Sequence, residues 1–338
     1  MKSDFYNHHD AQVYSLAHNQ IHMKSVLISE VGLRDGLQNI KAIMPTANKL
    51  AWINGLHAAG LREIEVCSFV PVKMLPQMAD ASQVVAHSLK LPNLTVMALV
   101  PNLRGAHAAI DAGVNKLTIP VSASEAHSMA NVRKTRQSML NEVRNIVAIR
   151  NERAPYVKIE VGVSTAFGCT LQGPVSESEV VWMAEELVKA GVDEIGLSDT
   201  SGMANPEQVR RLFKKVRAAI GDKTGAAHMH NTRGLGLANC LGAFDVGVTT
   251  FDSSQGGLGG CPYAPGASGN VVTEDLVFMF ESMGIDTGID LEKLIAARSA
   301  LQLGLPDEPI YGHTPDAGLT KGFVYANGRQ PKFGINKD

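Results

Sequence analysis

Two hydrophobic periods alternate regularly along this chain, and that alternation limits its fold more than any other feature. Short β-branched runs at residues 26–32, 63–68, 94–99, 116–120, 157–163, 194–198, 225–230 and 249–253 have the length and content of strands. Longer amphipathic stretches at 46–59, 77–89, 103–112, 132–150, 176–190, 206–220 and 235–246 lie between them with the spacing of helices. The punctuation agrees. Ala59-Gly60, Ala112-Gly113, Ala190-Gly191 and Val246-Gly247 each put glycine where a helix must end before the next strand. Ser176 stands three residues before Glu179 in capping-box spacing, and Asn205-Pro206 places proline in a first helical turn. Eight strands alternating with helices over about 230 residues predict an α/β fold, a (β/α)8 TIM barrel. A doubly wound open sheet is the competitor. The barrel is favoured because polar residues cluster where strands end, the face on which barrel active sites are built. Two more helix-like stretches, 274–283 and 291–303, would cap or flank it. The chain thus divides into a polar N-terminal extension (1–24), a barrel with additional C-terminal helices (25–305) and a Gly- and Pro-rich tail (306–338).

With 338 residues and 45% hydrophobic content the chain can bury a large core. Its formal net charge is −2 and it has no basic stripe, which argues against nucleic acid and anionic membrane surfaces as partners. No apolar run approaches the ~18 to 20 residues of a membrane span. Cys67, Cys169, Cys240 and Cys261 are scattered without close spacing, a pattern that suits a reducing cytosol. The first 24 residues lack the apolar core of a secretory signal and the arginines of a transit peptide, so a cytoplasmic protein is expected. The histidines of that extension, His8, His9, His18 and His22, read as surface residues.

Chemistry concentrates at the predicted strand ends. His228 and His230 are spaced i and i+2, so on a strand both imidazoles project from one face, as a pair of metal ligands requires. A lone His-x-His is equally one core and one exposed histidine. After the first strand, Arg34-Asp35-Gly36 puts a cation and a carboxylate at the barrel mouth; alone, it is an exposed turn with an ion pair. In the second strand Glu65 shares a face with Glu63 and Cys67. A carboxylate pointing into a barrel is costly unless paired, and Arg34 is its natural partner. The glycine-rich segment 255–270 lacks a phosphate-loop lysine, so nucleotide binding is a weak reading. Its glycines permit close backbone approach or lid motion, and Cys261 within it is an inert small residue or a reactive thiol.

Together these residues carry a resemblance. Val31-Gly32-Leu33-Arg34-Asp35-Gly36-Leu37-Gln38-Asn39, Ser68-Phe69-Val70, Pro76-Gln77-Met78, Pro101-Asn102, Ser198-Asp199-Thr200, His228-x-His230, Gly257-Leu258-Gly259-Gly260-Cys261-Pro262-Tyr263 and Gly266-Ala267-Ser268-Gly269-Asn270 look like 3-hydroxy-3-methylglutaryl-CoA lyases. The similarity spans residues 26–303, and the last motif is very specific. It implies an acyl-CoA substrate, a retro-Claisen cleavage and a divalent cation, Mg²⁺ or Mn²⁺, bound by Asp35, His228, His230 and Asn270. It further implies that Arg34 stabilises the developing enolate, Glu65 holds Arg34, and Cys261 protonates the enolate carbon. His228 and Asp35 are both candidates for the base. Asp199 would sit near the metal or its water, with Gln38 and Asn231 next to the site or its substrate.

The chain also departs from that pattern. The usual His-Cys-His-Asp-Thr is His228-Met229-His230-Asn231-Thr232, and the patterns after strands two, four and five become Pro71-Val72, Pro120-Val121-Ser122 and Thr165-Ala166-Phe167. These positions line the mouth, so a relative of the usual substrate with a different group on the tertiary carbon is a second expectation. A condensing synthase of the same superfamily is a rival, weakened because only about 70 residues follow the glycine segment. A barrel that has lost catalysis and only binds CoA or metal is another, weakened by the joint presence of all these side chains. Exposed barrel helices commonly pair, so a homodimer is expected.

Overall fold

The computed structural model describes residues 24–259 and 269–332. Strands β1 (Leu27–Glu30), β2 (Glu63–Ser68), β3 (Thr95–Leu99), β4 (Lys116–Ser122), β5 (Lys158–Ser164), β6 (Glu194–Ser198), β7 (Thr224–His228) and β8 (Thr250–Ser253) form one closed barrel in chain order. Neighbours pair in parallel, and β1 closes on β8 with Leu27 opposite Thr250 and Glu30 opposite Ser253. Helices α1 (Thr46–Ala59), α2 (Ala81–Ser88), α3 (Leu103–Ala112), α4 (Glu125–Val132), α5 (Arg136–Arg153), α6 (Glu177–Lys189), α7 (Pro206–Ile220), α8 (Gly236–Phe244) and α9 (Thr273–Ser282) fill the connections. α10 (Leu291–Gly304) packs on α1, and a short α11 (His313–Ala317) packs on α9. The expected (β/α)8 barrel with additional C-terminal helices is therefore the observed fold. Among the described residues no helix is long and apolar enough to cross a membrane.

The apolar core lies between barrel and helices. Ile64, Leu117, Ile159 and Leu197 of the strands and Trp52, Leu56, Val143 and Leu187 of the helices are all fully buried, each worth about 1.5–3 kcal/mol against exposure. The lumen, by contrast, is polar. Lys116 reaches Glu160 at 2.6 Å, Glu194 at 2.7 Å and Glu63 at 3.4 Å. Strand β4 neighbours neither β2 nor β6, so the Glu63 and Glu194 contacts cross the barrel interior. Burial opposes the Lys116 charge, but three carboxylates outweigh it and hold the ammonium above its ordinary range.

Several local expectations differ from the structure. Register shifts between Glu65 and Cys67, so strict alternation fails there. Cys67 is fully buried, and burial, then the charge of Glu65, pushes its thiol above the usual range. The predicted helix 132–150 is two helices. α4 ends on Arg133 in the left-handed region, and α5 starts anew where Thr135 accepts a hydrogen bond from the Ser138 amide. Residues 77–89 split into a short turn at Pro76–Met78 and α2. The Ser176 capping box does not form, since Glu179 pairs instead with Arg136 at 2.6 Å. In the Gly- and Pro-rich segment after α10, parts of the described chain are anchored. Tyr325 is buried and takes the Leu291 amide on its hydroxyl oxygen, and Arg329 pairs with Asp290 at 2.6 Å.

Glu30, the last residue of β1, bolts the barrel end together. Its buried carboxylate accepts hydrogen bonds from the Gly32 amide (2.9 Å), the Gln255 amide (2.9 Å) and Thr273 Oγ1 (2.7 Å). Gln255 in turn accepts from Trp52 Nε1 and donates to the Leu294 carbonyl, both at 2.6 Å. Burial pushes the Glu30 pKa up to about 7, against the pull of Thr273, Gln255 and Gly32. A carboxyl whose folded pKa is raised binds its proton more tightly in the folded state. Its penalty is absent below about pH 4.5, grows between 4.5 and 7, and is constant above. Replacing Glu30 by Gln should therefore flatten the stability–pH profile in that window, by up to about 3 kcal/mol. Chemical denaturation of both proteins across that range checks it; parallel profiles would refute the assignment.

Candidate active site

The turn after β1 is a single wide helical turn, Gly32–Gly36. Glycine is required at its start, because a Cβ at Gly32 would lie 2.6 Å from Glu30 Oε1 and 2.8 Å from Ser254 Oγ. The turn delivers Arg34 and Asp35 to the rim of the lumen. Arg34 Nε donates to Glu65 Oε2 at 2.5 Å and Nη1 to Asp35 Oδ1 at 2.6 Å. The other Glu65 oxygen accepts from Thr118 Oγ1 of β4. Burial opposes the guanidinium charge, but Glu65 and Asp35 outweigh it, so Arg34 stays ionised. Burial alone would raise Asp35 as well; Arg34 and His228 outweigh it and hold its carboxyl below the usual range.

Across the mouth, His228 ends β7, and His230 lies just past it in a bridge to Asn270. The two Nε2 atoms face each other at 3.2 Å, and Asp35 Oδ2 is 4.0 Å from that of His228. One ligand atom from each of Asp35, His228 and His230 falls within a 4.8 Å cluster. Adjacent ligands of an octahedral ion at about 2.1 Å stand about 3 Å apart, the spacing of the imidazole pair. Asn270 Nδ2 donates to the same Asp35 Oδ2 at 2.7 Å. His228 Nδ1 is 3.0 Å from Asp252 Oδ2, which fixes the proton on Nδ1 and leaves Nε2 bare. Burial lowers the His228 pKa, but the hydrogen bond and charge of Asp252 outweigh it and raise the group. Burial and then the charge of His228 push His230 down to about 4, so it is neutral at physiological pH.

These side chains open into one cavity of about 490 Å³. One wall is apolar, with Val70, Pro71, Met74 and Met97; Arg133 and Lys134 stand on the α4–α5 side. The structure thus brings together Arg34, Asp35, Glu65, His228, His230 and Asn270, and places Gln38 on the cavity lining. Asp199 lies beside His228, its amide donating to the His228 carbonyl at 2.9 Å, and its carboxylate accepts the Met203 and Ala204 amides at 2.8 and 3.1 Å, with burial pushing it up to about 6. Asn231 accepts the Gly236 amide at 3.0 Å, at the start of α8. Cys261 lies outside the described residues. Sequence reasoning missed Asp252 and Thr118. Asp252 is the direct register partner of His228 across β7 and β8. The signal that could have found it is its i+2 spacing from Thr250 on the last strand.

Comparison with known proteins agrees with this geometry. The sequence profile of the HMGL-like family matches residues 25–301. A hydroxymethylglutaryl-CoA lyase of Bacillus subtilis is 41% identical over 274 residues, covering 81% of this chain and 91% of that protein. A Pseudomonas aeruginosa 3-hydroxy-3-isohexenylglutaryl-CoA/hydroxy-methylglutaryl-CoA lyase is 39% identical, with the same coverage of 81% and 91%. The crystal structure of an HMG-CoA lyase from Acinetobacter baumannii, in complex with coenzyme A and 3-methylmalate, superposes with a TM-score of 0.83 at 40% identity, covering 88% of this chain and 96% of that one. Fold, motifs and relatives converge: this chain belongs to the 3-hydroxy-3-methylglutaryl-CoA lyase family of carbon–carbon lyases.

Proposed function

We propose that this protein cleaves a 3-hydroxy-3-methylglutaryl-CoA-like thioester to acetyl-CoA and a 3-oxo acid such as acetoacetate. A divalent cation, Mg²⁺ or Mn²⁺, is assigned to Asp35, His228, His230 and the amide oxygen of Asn270. The observation that carries this reading is the facing Nε2 pair at 3.2 Å, set with Asp35 beside a doubly clamped Arg34. Carboxylate, amide and neutral imidazole donors suit such an ion. When bound it supplies Lewis-acid polarisation of the substrate hydroxyl and a neighbouring oxygen. The related lyase crystallised with coenzyme A supports an acyl-CoA substrate.

In the reaction the tertiary hydroxyl gives its proton to Asp35 or His228, the two basic groups beside that point. The oxygen lone pair closes the new carbonyl as the C–C bond breaks, and the bonding pair passes to the thioester as an enolate. Arg34 spends Nε and Nη1 on its carboxylates and keeps its remaining donors for the enolate oxygen. Cys261 is assigned, from its place in the glycine-rich motif, to return a proton to the enolate carbon. The apolar wall restricts water near the carbanion. The three described cysteines are unbridged, which suits the cytoplasmic setting assigned to the enzyme.

Acetyl-CoA release from 3-hydroxy-3-methylglutaryl-CoA should proceed at ~1 to 10³ s⁻¹ with Mg²⁺ or Mn²⁺. A chelator should abolish it and added metal restore it; a chain that binds no divalent metal would refute the reading. Arg34→Ala should lower turnover at least ~10²-fold while a Mn²⁺ titration still shows a filled site. Asp252→Asn, which takes the charge from behind His228, should weaken Mn²⁺ affinity by about 10- to 100-fold. An unchanged titration would remove Asp252 from the site's support.

A further inference from the structure

Beyond the imidazole pair the same cavity is lined by Glu160, Gly162, Ser164 and Ser198 of β5 and β6. Barrel interiors are ordinarily packed by layers of side chains from alternate strands. Here Gly162 of β5 and Gly196 of β6 are register partners, so two adjacent strands contribute nothing at that level. A Cβ at Gly162 would find only Ser198 Oγ, at 3.7 Å, within contact range. Gly162 has a negative φ and needs no glycine for its backbone. Its smallness keeps space open.

The space is lined with hydrogen-bonding groups. Ser164 and Ser198 edge the cavity at the ends of β5 and β6. Glu160, two residues before Gly162, forms part of the floor. Its Oε2 is tied to Lys116 at 2.6 Å, while Oε1 lies beside Gly196, 3.1 Å from where a Cβ would stand. Glu65 and Asp252 border the same cavity, so an anionic group would meet acidic side chains there. An alkyl group would strip hydration from the two hydroxyls and Glu160 without replacing it.

We propose that this part of the cavity receives a short, neutral, hydroxyl-bearing substituent on the tertiary carbon of the thioester. The substrate class is then a 3-hydroxyglutaryl-CoA with a hydroxyalkyl group in place of methyl. The substituent hydroxyl donates to Glu160 Oε1 and accepts from Ser198 or Ser164. The inference rests on the lyase reading above and specifies what that site accepts.

The test compares kcat/KM for 3-hydroxy-3-(hydroxymethyl)glutaryl-CoA and 3-hydroxy-3-methylglutaryl-CoA with the Mg²⁺-loaded enzyme. The wild type should favour the hydroxymethyl compound by at least ~10-fold, about the worth of one buried hydrogen bond. Gly162→Val, which fills that space, should bring that ratio down at least ~10-fold. Ser198→Ala, which adds no bulk, should lower it by a few-fold, and Mn²⁺ titration reports that each variant retains the site. A wild type that favours the methyl compound, or a ratio that neither variant moves, overturns this inference and leaves the lyase reading standing. A wild type that cleaves neither thioester overturns both.

Discussion

Arg34 holds the mouth of this barrel together. Its guanidinium joins Glu65 of β2 to Asp35 of its own turn, and Glu65 is tied through Thr118 to β4. Asp35 is tied through Asn270 to the segment after β8. A buried charge left without its partner costs several kcal/mol, whereas the paired arrangement roughly breaks even. The clamp therefore adds little to net stability but penalises any arrangement in which the strands fail to close. Closure of β1 on β8 is what allows residues 235 positions apart to share one carboxylate oxygen. The site exists only in the finished barrel.

The same logic explains a polar lumen inside an apolar shell. The helix layer buries the aliphatic face of every strand, so the inward face is free of the task of making a core. The chain uses it for charge: Lys116 with three carboxylates toward the bottom, then Glu65, Thr118 and Asp252 nearer the mouth. Lys116 sits where Glu63 and Glu160 would otherwise be buried without a counter-charge. It thereby holds an acidic side chain, Glu160, at the cavity floor. Stability resides in the outer layer and chemistry in the inner one, a division that lets the mouth vary while the barrel persists.

Much of this was legible in the chain. Strand ends carry strong local signals, and β2, β6, α1, α3 and α7 lie where period and punctuation put them. The His-x-His pair was legible because its geometry is local: two residues on one strand face. What escaped was set by contacts between elements. The bulge after Glu65 breaks the period of two without any glycine or proline to mark it. Asn231 follows the histidines directly and reads as their support, yet its side chain turns to the start of α8. The carboxylate behind His228 comes from the next strand, because β7 and β8 align His228 with Asp252. The role of Asp199 in folding the loop after β6, where its oxygens take the Met203 and Ala204 amides beside His228, was likewise set by contacts no local pattern records.

The position of Asp252 also orders the two imidazoles. Both rings are buried and 3.2 Å apart, so they cannot both be cationic, and burial disfavours charge on either. Asp252 breaks the symmetry. Accepting from Nδ1, it makes His228 the more basic ring, while burial and then the neighbouring His228 depress His230. Asp35 faces the pair from the opposite side of the mouth and is itself held ionised by Arg34. A line of paired polar groups thus runs from Glu65 through Arg34, Asp35 and the imidazoles to Asp252, each group fixed by the next. Nothing in that line can be neutralised without loosening its neighbours, so the electrostatics of the mouth act as one unit, fixed before any substrate arrives.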